Sequence, residues 1–427
     1  MVEPFKKLIS LKGSKLPEGS KVPFDDAWRF ILKVGVAAHK YGSTATRLES
    51  FLTSLAKGFG YHGEFKSTPV EIRFGLRETP DSQERVEVMA TPPPDMDLDK
   101  LARLGDVLNN IKAGTLSIND ADPRIDAIDQ VPPPWGKFAS MLGYLFVGFG
   151  LAPLFGAGWM DTLFASLFSI LVYGLVLLSA RIGGWAMNWM PLTTAMITGF
   201  LAMMVKHWVP SLNLVVVILS AIAIILPGFS ISLGAGELVS KRVKSGMYNL
   251  KSGLITLIKQ IAGAIIGVAI ASVFVTATIT AVHPQAPVDQ KWMLLYFPLL
   301  LIGLAFAFQV SRRDLPWAVL ISALAFLGVE AGSSIMNANL GNLLGTIIAV
   351  VVSNIWARKT GRPTSIVLIP AIVMLVSGTI GFRGLATMAI GDVVLGANQF
   401  LQMFIVALTI LAGIFIGFII IRPQPSL

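Results

Sequence analysis

From Phe138 to Ile421 long apolar runs alternate with short polar breaks, whereas before Trp135 the apolar residues recur singly, at helix or strand spacing. The runs fall at about 138–155, 162–180, 190–205, 212–226, 254–282, 292–310, 317–332, 340–356, 364–380 and 400–421. A helix needs ~20 predominantly apolar residues to cross a hydrocarbon core. With its flanking Gly, Ser and Pro, each run is long enough for one span, so the pattern predicts a polytopic helical membrane protein with ten transmembrane helices.

Residues 1–137 read as a small α+β domain. Asp25 and Asp26 open a helical pattern through Trp28, Ile31, Leu32, Gly35 and Ala38, continued by Leu48, Phe51, Leu52 and Leu55, with Gly42 as its interruption. Alternation at Val70, Ile72 and Phe74 and at Val86 and Val88 predicts strands over Gly63–Leu76 and Arg85–Thr91. Asp97 is placed to cap a helix through Leu98 to Ile111, because a short carboxylate satisfies the free amides of a first turn. A last helix near Asp120–Asp129 leads to Pro132–Pro134, a semi-rigid spacer.

Composition agrees: 54% of the 427 residues are apolar or aromatic and only 14% are charged. Basic and acidic side chains are equal in number over positions 1–137, so the positions after Lys137 carry the whole net charge of +9. That excess is scattered through short loops rather than clustered on a soluble face, which excludes a nucleic-acid binder. It also sets an orientation, since cytoplasmic loops retain Lys and Arg. With the N-terminal domain inside, Arg181, Lys241, Arg242, Lys244, Lys251, Arg312, Arg313, Arg358, Lys359, Arg362 and Arg422 are internal, and only Lys206, Lys291 and Arg383 are external. Both termini are expected in the cytoplasm, in a multi-pass protein of the cytoplasmic (inner) membrane. The polar N-terminus does not read as a signal peptide.

Ten spans divide into two fives, 138–282 and 283–427, and an odd number per half would make them an inverted repeat of the kind found in secondary transporters. Both fourth spans are interrupted, at Ile225-Leu-Pro-Gly-Phe-Ser-Ile-Ser232 and at Leu375-Val-Ser-Gly-Thr-Ile-Gly381. Pro227 deletes a helix hydrogen bond and Gly228 eases an irregular backbone, leaving amides and carbonyls that must find partners at membrane depth. Pro227, Gly228, Ser230, Ser232, Ser377 and Gly378 are therefore candidate substrate residues, the first break placed toward the cytoplasm and the second toward the outside. Asn337 and Asn342, near the start of span eight, join them as amides able to meet an amino or carboxylate group. Of six acidic residues beyond position 137, Asp161, Asp289 and Asp314 fall in loops, while Glu237, Glu330 and Asp392 lie close enough to the bilayer to be candidate proton carriers. Lys259 is expected to snorkel to the cytoplasmic face. Gly263-xxx-Gly267 and Gly341-xxx-Gly345 predict close helix packing.

Signals for an enzyme are poor. His39 and Ser43 stand four apart on a helix without a sequence-positioned acid, and Gly13–Lys21 has the wrong spacing for a phosphate loop. Four scattered His and no Cys suggest no metal site or disulfide, and no cofactor is implied. A membrane-anchored hydrolase acting through the first domain is the weakest of the readings.

Three stretches, Ala37-Ala-His-Lys-Tyr-Gly-Ser-Thr-Ala-Thr-Arg-Leu-Glu49, Leu226-Pro-Gly through Gly236-Glu-Leu238, and Ile369-Pro-Ala through Ser377-Gly-Thr-Ile-Gly-Phe-Arg-Gly384, resemble the threonine/serine exporter family. The chain departs from the family pattern at Gly236, where a basic residue is common, and at Ser377, where the second Pro-Gly has proline. The resemblance implies a domain joined to ten spans in two five-span parts and export of threonine and serine driven by an ion gradient. Related two-subunit members point to a dicarboxylate alternative, for which Lys259 and Arg383 would be the cationic groups. The expected partners are a small-molecule substrate, protons or another coupling ion, the lipid bilayer and, where the chain self-associates, a homo-oligomer.

Overall fold

The computed structural model describes residues 22–94, 96–276, 285–375 and 378–423. The Gly13–Lys21 loop, Ser377 and the end of the fifth apolar run lie outside them.

The N-terminal domain packs α1 (Phe24–Lys40) and α2 (Ala45–Gly58) against a three-stranded antiparallel sheet, and adds α3 (Leu98–Lys112) and α4 (Ile118–Gln130). Gly42, at φ +97°, makes the predicted break between α1 and α2. The single strand expected over residues 63–76 is instead a hairpin, β1 (His62–Thr68) and β2 (Glu71–Arg77), paired in register through Phe65 and Phe74. β1 carries a single large apolar residue, Phe65, so it has no alternation of its own to set it apart from Val70, Ile72 and Phe74 of the turn and β2. β3 (Arg85–Ala90) completes the sheet. Trp28, Ile31, Leu52, Phe74 and Leu76 are fully buried between helices and sheet. Asp97 caps α3 by accepting from the Lys100 amide at 3.0 Å, and Ser117 caps α4.

Nine helices among the described residues are long and apolar enough to cross a membrane, and one bent pair makes a tenth. They are α5 (Gly136–Leu154), α6 (Trp159–Ile182), α7 (Gly184–Trp208), the pair α8 (Leu214–Ala221) and α9 (Gly228–Val239), and α10 (Val243–Ser272). Then come α11 (Met293–Ala307), α12 (Leu315–Ile335), α13 (Ala338–Thr360), α14 (Ser365–Leu375) with α15 (Gly378–Ala389), and α16 (Val393–Ile420). The fourth span is bent by 63°.

Neighbouring pairs recur in the two sets of five. In the first, α5–α6, α6–α7, α6–α8, α7–α8, α7–α10 and α9–α10 touch; in the second, α11–α12, α12–α13, α12–α14, α13–α14, α13–α16 and α15–α16 do. Between the sets α5 meets α11, α9 meets α15, and the α9–α16 contact has its counterpart in α10–α15. Close-packed glycines follow the same register: Gly234 stands against Gly246, and Gly384 against Gly396, the second pair repeating the first at one common offset along the chain. Gly263 and Gly267 lie on the α7 backbone as Gly413 and Gly417, at that same offset, lie on α13. Glycine permits these approaches because a side chain at any of them would meet backbone or packed side-chain atoms.

The N-terminal domain is held on one face of the bundle, termed here the domain face. Arg362 is buried there and bonds Asp314 at 2.5 Å and Asp106 of α3 at 2.7 Å. Glu49 of α2 pairs with Arg242 at 2.7 Å, Arg47 donates to Ser365 at 3.1 Å, and Asn109 donates to the Gly361 carbonyl at 2.7 Å. The proline spacer is pinned as well, with Arg312 donating to the Pro134 carbonyl and Trp135 to that of Val310. Two acidic residues assigned to loops thus prove structural. Asp314 is the buried counter-ion of Arg362, and Asp161, also buried, accepts from the Asn213 amide to fasten the start of α6 to that of α8.

Candidate functional site at the broken helices

α8 ends at Ala221, after which the chain turns through the 3₁₀ segment Ala223–Ile225 and reaches Pro227, which precedes the first residue of α9. Proline is suited to such a start, because its missing N–H would have no intrahelical partner there. The turn bonds itself through Ile225 to Ile222 and Leu226 to Ala223. Gln260, fully buried on α10, donates to the Ile225 carbonyl at 2.9 Å. That amide in an apolar run is a residue the sequence reading passed over, and its cost in lipid was the available signal. Among the described residues no donor reaches the carbonyls of Ile224 and Leu226, and no acceptor reaches the amides of Phe229 and Ser230.

The second break meets the first. A Cβ built on Gly378 would stand 2.9 Å from both Cα and N of Gly228. Gly228 and Gly378 are related by the same offset as Gly234 and Gly384, so the contact belongs to the register of the other paired glycines. The two breaks, expected on the cytoplasmic and outer sides of a cavity between them, touch each other in the interior of the bundle. At 1.5 Å per residue α8, α9, α14 and α15 are each ~12–18 Å long, so each leaves its break near mid-depth.

Around this contact lies a cavity of about 340 Å³, within the range of small-ligand sites. The first break contributes Ala223 to Pro227, Phe229 and Ser230, and the second contributes Gly378 and Thr379. Val147, Leu151 and Leu154 of α5, Phe155 after it, and Leu300 and Leu304 of α11 form most of the remaining wall. Met96 of the N-terminal domain and Phe308 stand at the domain-face end, where the Leu98 amide bonds the Phe308 carbonyl. The wall carries no charged side chain. Its polarity comes from broken backbone, Ser230 and Thr379.

The predicted residues divide accordingly. Pro227, Ser230 and Gly378 line the cavity, Gly228 forms its floor contact, and Ser232 is buried on α9 outside the wall. Ser377 lies outside the described residues. Asn337 is exposed and caps α13, accepting from the Asn339 and Leu340 amides, and Asn342 is half-buried on α13 outside the wall. Glu330 is exposed near the end of α12, and Asp392 is an exposed cap of α16 that accepts from Leu395. Both stand at the face opposite the N-terminal domain, remote from the cavity.

Glu237 differs from both. It is 3% exposed, near the domain-face end of α9, and its Oε2 accepts from Ser245 at 2.8 Å and Asn249 at 2.7 Å. Its Oε1 is buried without a described partner. Arg242, in the loop after α9, is the partner of Glu49. Lys259 donates to the Asn188 carbonyl beside the Trp189 ring. Arg383 of α15 donates to the Phe155 carbonyl at 3.2 Å, its guanidinium 4.9 Å from the Phe155 ring centre.

No dyad forms in the N-terminal domain. His39 is bonded to Thr91 and the Pro92 carbonyl, and the Ser43 hydroxyl is buried without a described partner. No group of three or more His, Asp or Glu able to hold a metal exists among the described residues.

Residues 29–271 match the ThrE family model and residues 293–420 match ThrE_2, both described as threonine/serine exporters. A Schizosaccharomyces pombe protein of uncharacterized role is 25% identical over 83% of this chain and 48% of its own length. The pheromone-regulated membrane protein 10 of Saccharomyces cerevisiae is 23% identical over 87% of this chain and 49% of its own, and that of Pichia sorbitophila 22% over 82% and 36%. The chain thus spans half or less of the length of these relatives. No solved structure matches it. By the extent of the two family matches, the chain belongs to the threonine/serine exporter family.

Proposed function

We propose that the chain is a secondary active exporter of small polar amino acids of the threonine/serine type, coupled to protons, with its N-terminal domain in the cytoplasm. The observation that carries this reading is the contact of Gly228 with Gly378 beside the cavity, where broken backbone supplies the polar groups of an otherwise apolar wall. The recurring helix pairs and the shared glycine register support an inverted five-plus-five repeat, whose halves would rock about that contact. Pro227, Gly228, Ser230 and Gly378 are assigned to the substrate. Glu237 is assigned to the proton, since it is the buried carboxylate with an unbonded oxygen and shares α9 with the break, ~13 Å away along the helix axis. A dicarboxylate is less well served, because the cavity wall is uncharged, Lys259 is engaged elsewhere, and Arg383 alone could meet only one of its two carboxylates.

Counterflow in liposomes reconstituted with the full chain tests the reading. Threonine and serine are expected to exchange, and succinate and malate are not. Exchange of the dicarboxylates alone would replace this reading with the alternative. Glu237→Gln should retain threonine counterflow while losing uphill movement driven by a proton gradient; gradient-driven accumulation at the unsubstituted rate would remove Glu237 from the coupling.

A further inference from the structure

We propose that Arg383 receives the carboxylate of the transported amino acid at the end of the cavity opposite the N-terminal domain. The inference rests on the export reading above and gives its site a charge that the wall itself lacks.

Thr379 lines the cavity on the first turn of α15, and Arg383 follows it by four residues. Side chains four apart lie one above the other on a helix, so Arg383 continues the cavity-facing strip. Its guanidinium sits against Phe155, a wall residue, by a hydrogen bond to the carbonyl and by the ring face. Those contacts use one of five donors and leave the positive charge unanswered. Among the described residues Arg383 forms no ion pair, although it lies within a span, where a cation is costly unless paired or facing a polar cavity. Two other cations within spans, Lys206 and Lys259, have carbonyl partners. Lys206 is closed off by the carbonyls of Pro210 and Leu212, and Lys259 lies on the exposed side with Asn188 and Trp189.

A zwitterion needs both an acceptor and a donor. The unengaged carbonyls of Ile224 and Leu226 accept, which suits an ammonium group. The competing receptor for the anion is the first turn of α9, where Gly378 is packed against the Gly228 amide and leaves those of Phe229 and Ser230, but a helix N-terminus offers only about half a positive charge against the full charge of Arg383. Arg383 offers a planar fork matched to a carboxylate, with Phe155 in position to cover it.

The test uses the full-length chain in liposomes, with labelled L-threonine counterflow competed by L-serine, L-threonine amide and L-threoninol, the last two lacking the carboxylate. Unsubstituted protein is expected to be inhibited by serine and not by the two analogues that lack the carboxylate. Arg383→Gln should raise KM for threonine about 10- to 100-fold and let threoninol compete as well as threonine, a change that a merely structural residue would not produce. Arg383→Lys, which keeps charge but loses the fork, should fall between them and carries the test if the Gln variant fails to insert. Unsubstituted KM and discrimination in the variant that inserts would overturn the proposal and move the carboxylate to the α9 amides. Absence of any threonine or serine counterflow in the unsubstituted protein is a separate result: it overturns the export reading, and this proposal with it.

Discussion

His39 is 3% exposed, and burial, opposed by its bonds to backbone carbonyls, holds its pKa below the ordinary 6.5. Folding therefore favours the neutral ring, while the unfolded chain takes up a proton as pH falls through 6.5. The contribution is complete above that value and declines below it until the folded ring also protonates. Thermal denaturation of the purified protein should accordingly show a stability that drops on acidification from pH 6.5, and His39→Gln should flatten that slope. An unchanged slope in the variant would assign the proton uptake to other groups. The same scale shows what one chain could not reveal. Asp97 as a cap and Gly42 as a break are local rules acting within a few residues, and both were legible. Asp314 was not, because its value lies in Arg362, distant in sequence and beside it in space. Nor was the fate of Glu330 and Asp392, since a carboxylate near an apolar run has the same one-letter surroundings whether it is buried or faces water.

The broken fourth span was legible as an element, because Pro227-Gly228 removes a hydrogen bond wherever it stands. Its depth was not, since that depends on where α8 begins, and the Asn213 cap that starts it is held by Asp161 of another helix. The glycine contact gives the element its sharpest prediction. Gly378→Ala would place a methyl 2.9 Å from the Gly228 backbone, and backbone cannot swing aside as a flexible side chain can. A cost of about 1–3 kcal/mol is expected from overpacking, with threonine counterflow reduced further than stability alone explains. Gly174→Ala on α6 is the control, because nothing lies within 4 Å of its Cβ and a helical alanine gains up to ~1 kcal/mol over glycine. Melting in detergent compares the two. Equal melting points and equal counterflow would mean that the two breaks move apart freely, and the proposed rocking contact would lose its basis.

At the scale of the molecule, the N-terminal domain is built into the membrane bundle, because its Met96 walls the cavity and its polar side chains bond the loops and helix starts of the domain face. Arg47 and Glu49, either side of buried Leu48, illustrate the arrangement. The first bonds the start of α14 and the second pairs with the loop between α9 and α10, so one helix of the domain grips both broken spans. The sequence could suggest a domain close to the first span, through its proline spacer, but contacts made by α2 and α3 with Arg242, Gly361, Arg362 and Ser365 depend on the assembled surface. Arg362 raises the stakes of that surface. Its charge is buried between Asp314 and Asp106, and removing one partner of a buried pair typically costs ~3–5 kcal/mol. Asp314→Asn should fall in that range, whereas Asp106→Asn should cost far less, its side chain being 43% exposed and screened. This difference makes Asp106→Asn combined with Glu49→Gln a means of loosening the dock without unfolding the bundle. The chain contains no cysteine, so Ser230→Cys supplies a single thiol on the cavity wall. Loosening the dock should raise its labelling by a membrane-impermeant maleimide, applied from the domain face, about tenfold or more, since a dock weakened by ~1.4 kcal/mol opens ten times as often. Labelling from the opposite face should stay unchanged. A rate that rises equally from both faces would mean that the bundle itself had loosened, and one that rises from neither would mean that Met96 and Phe308 close nothing.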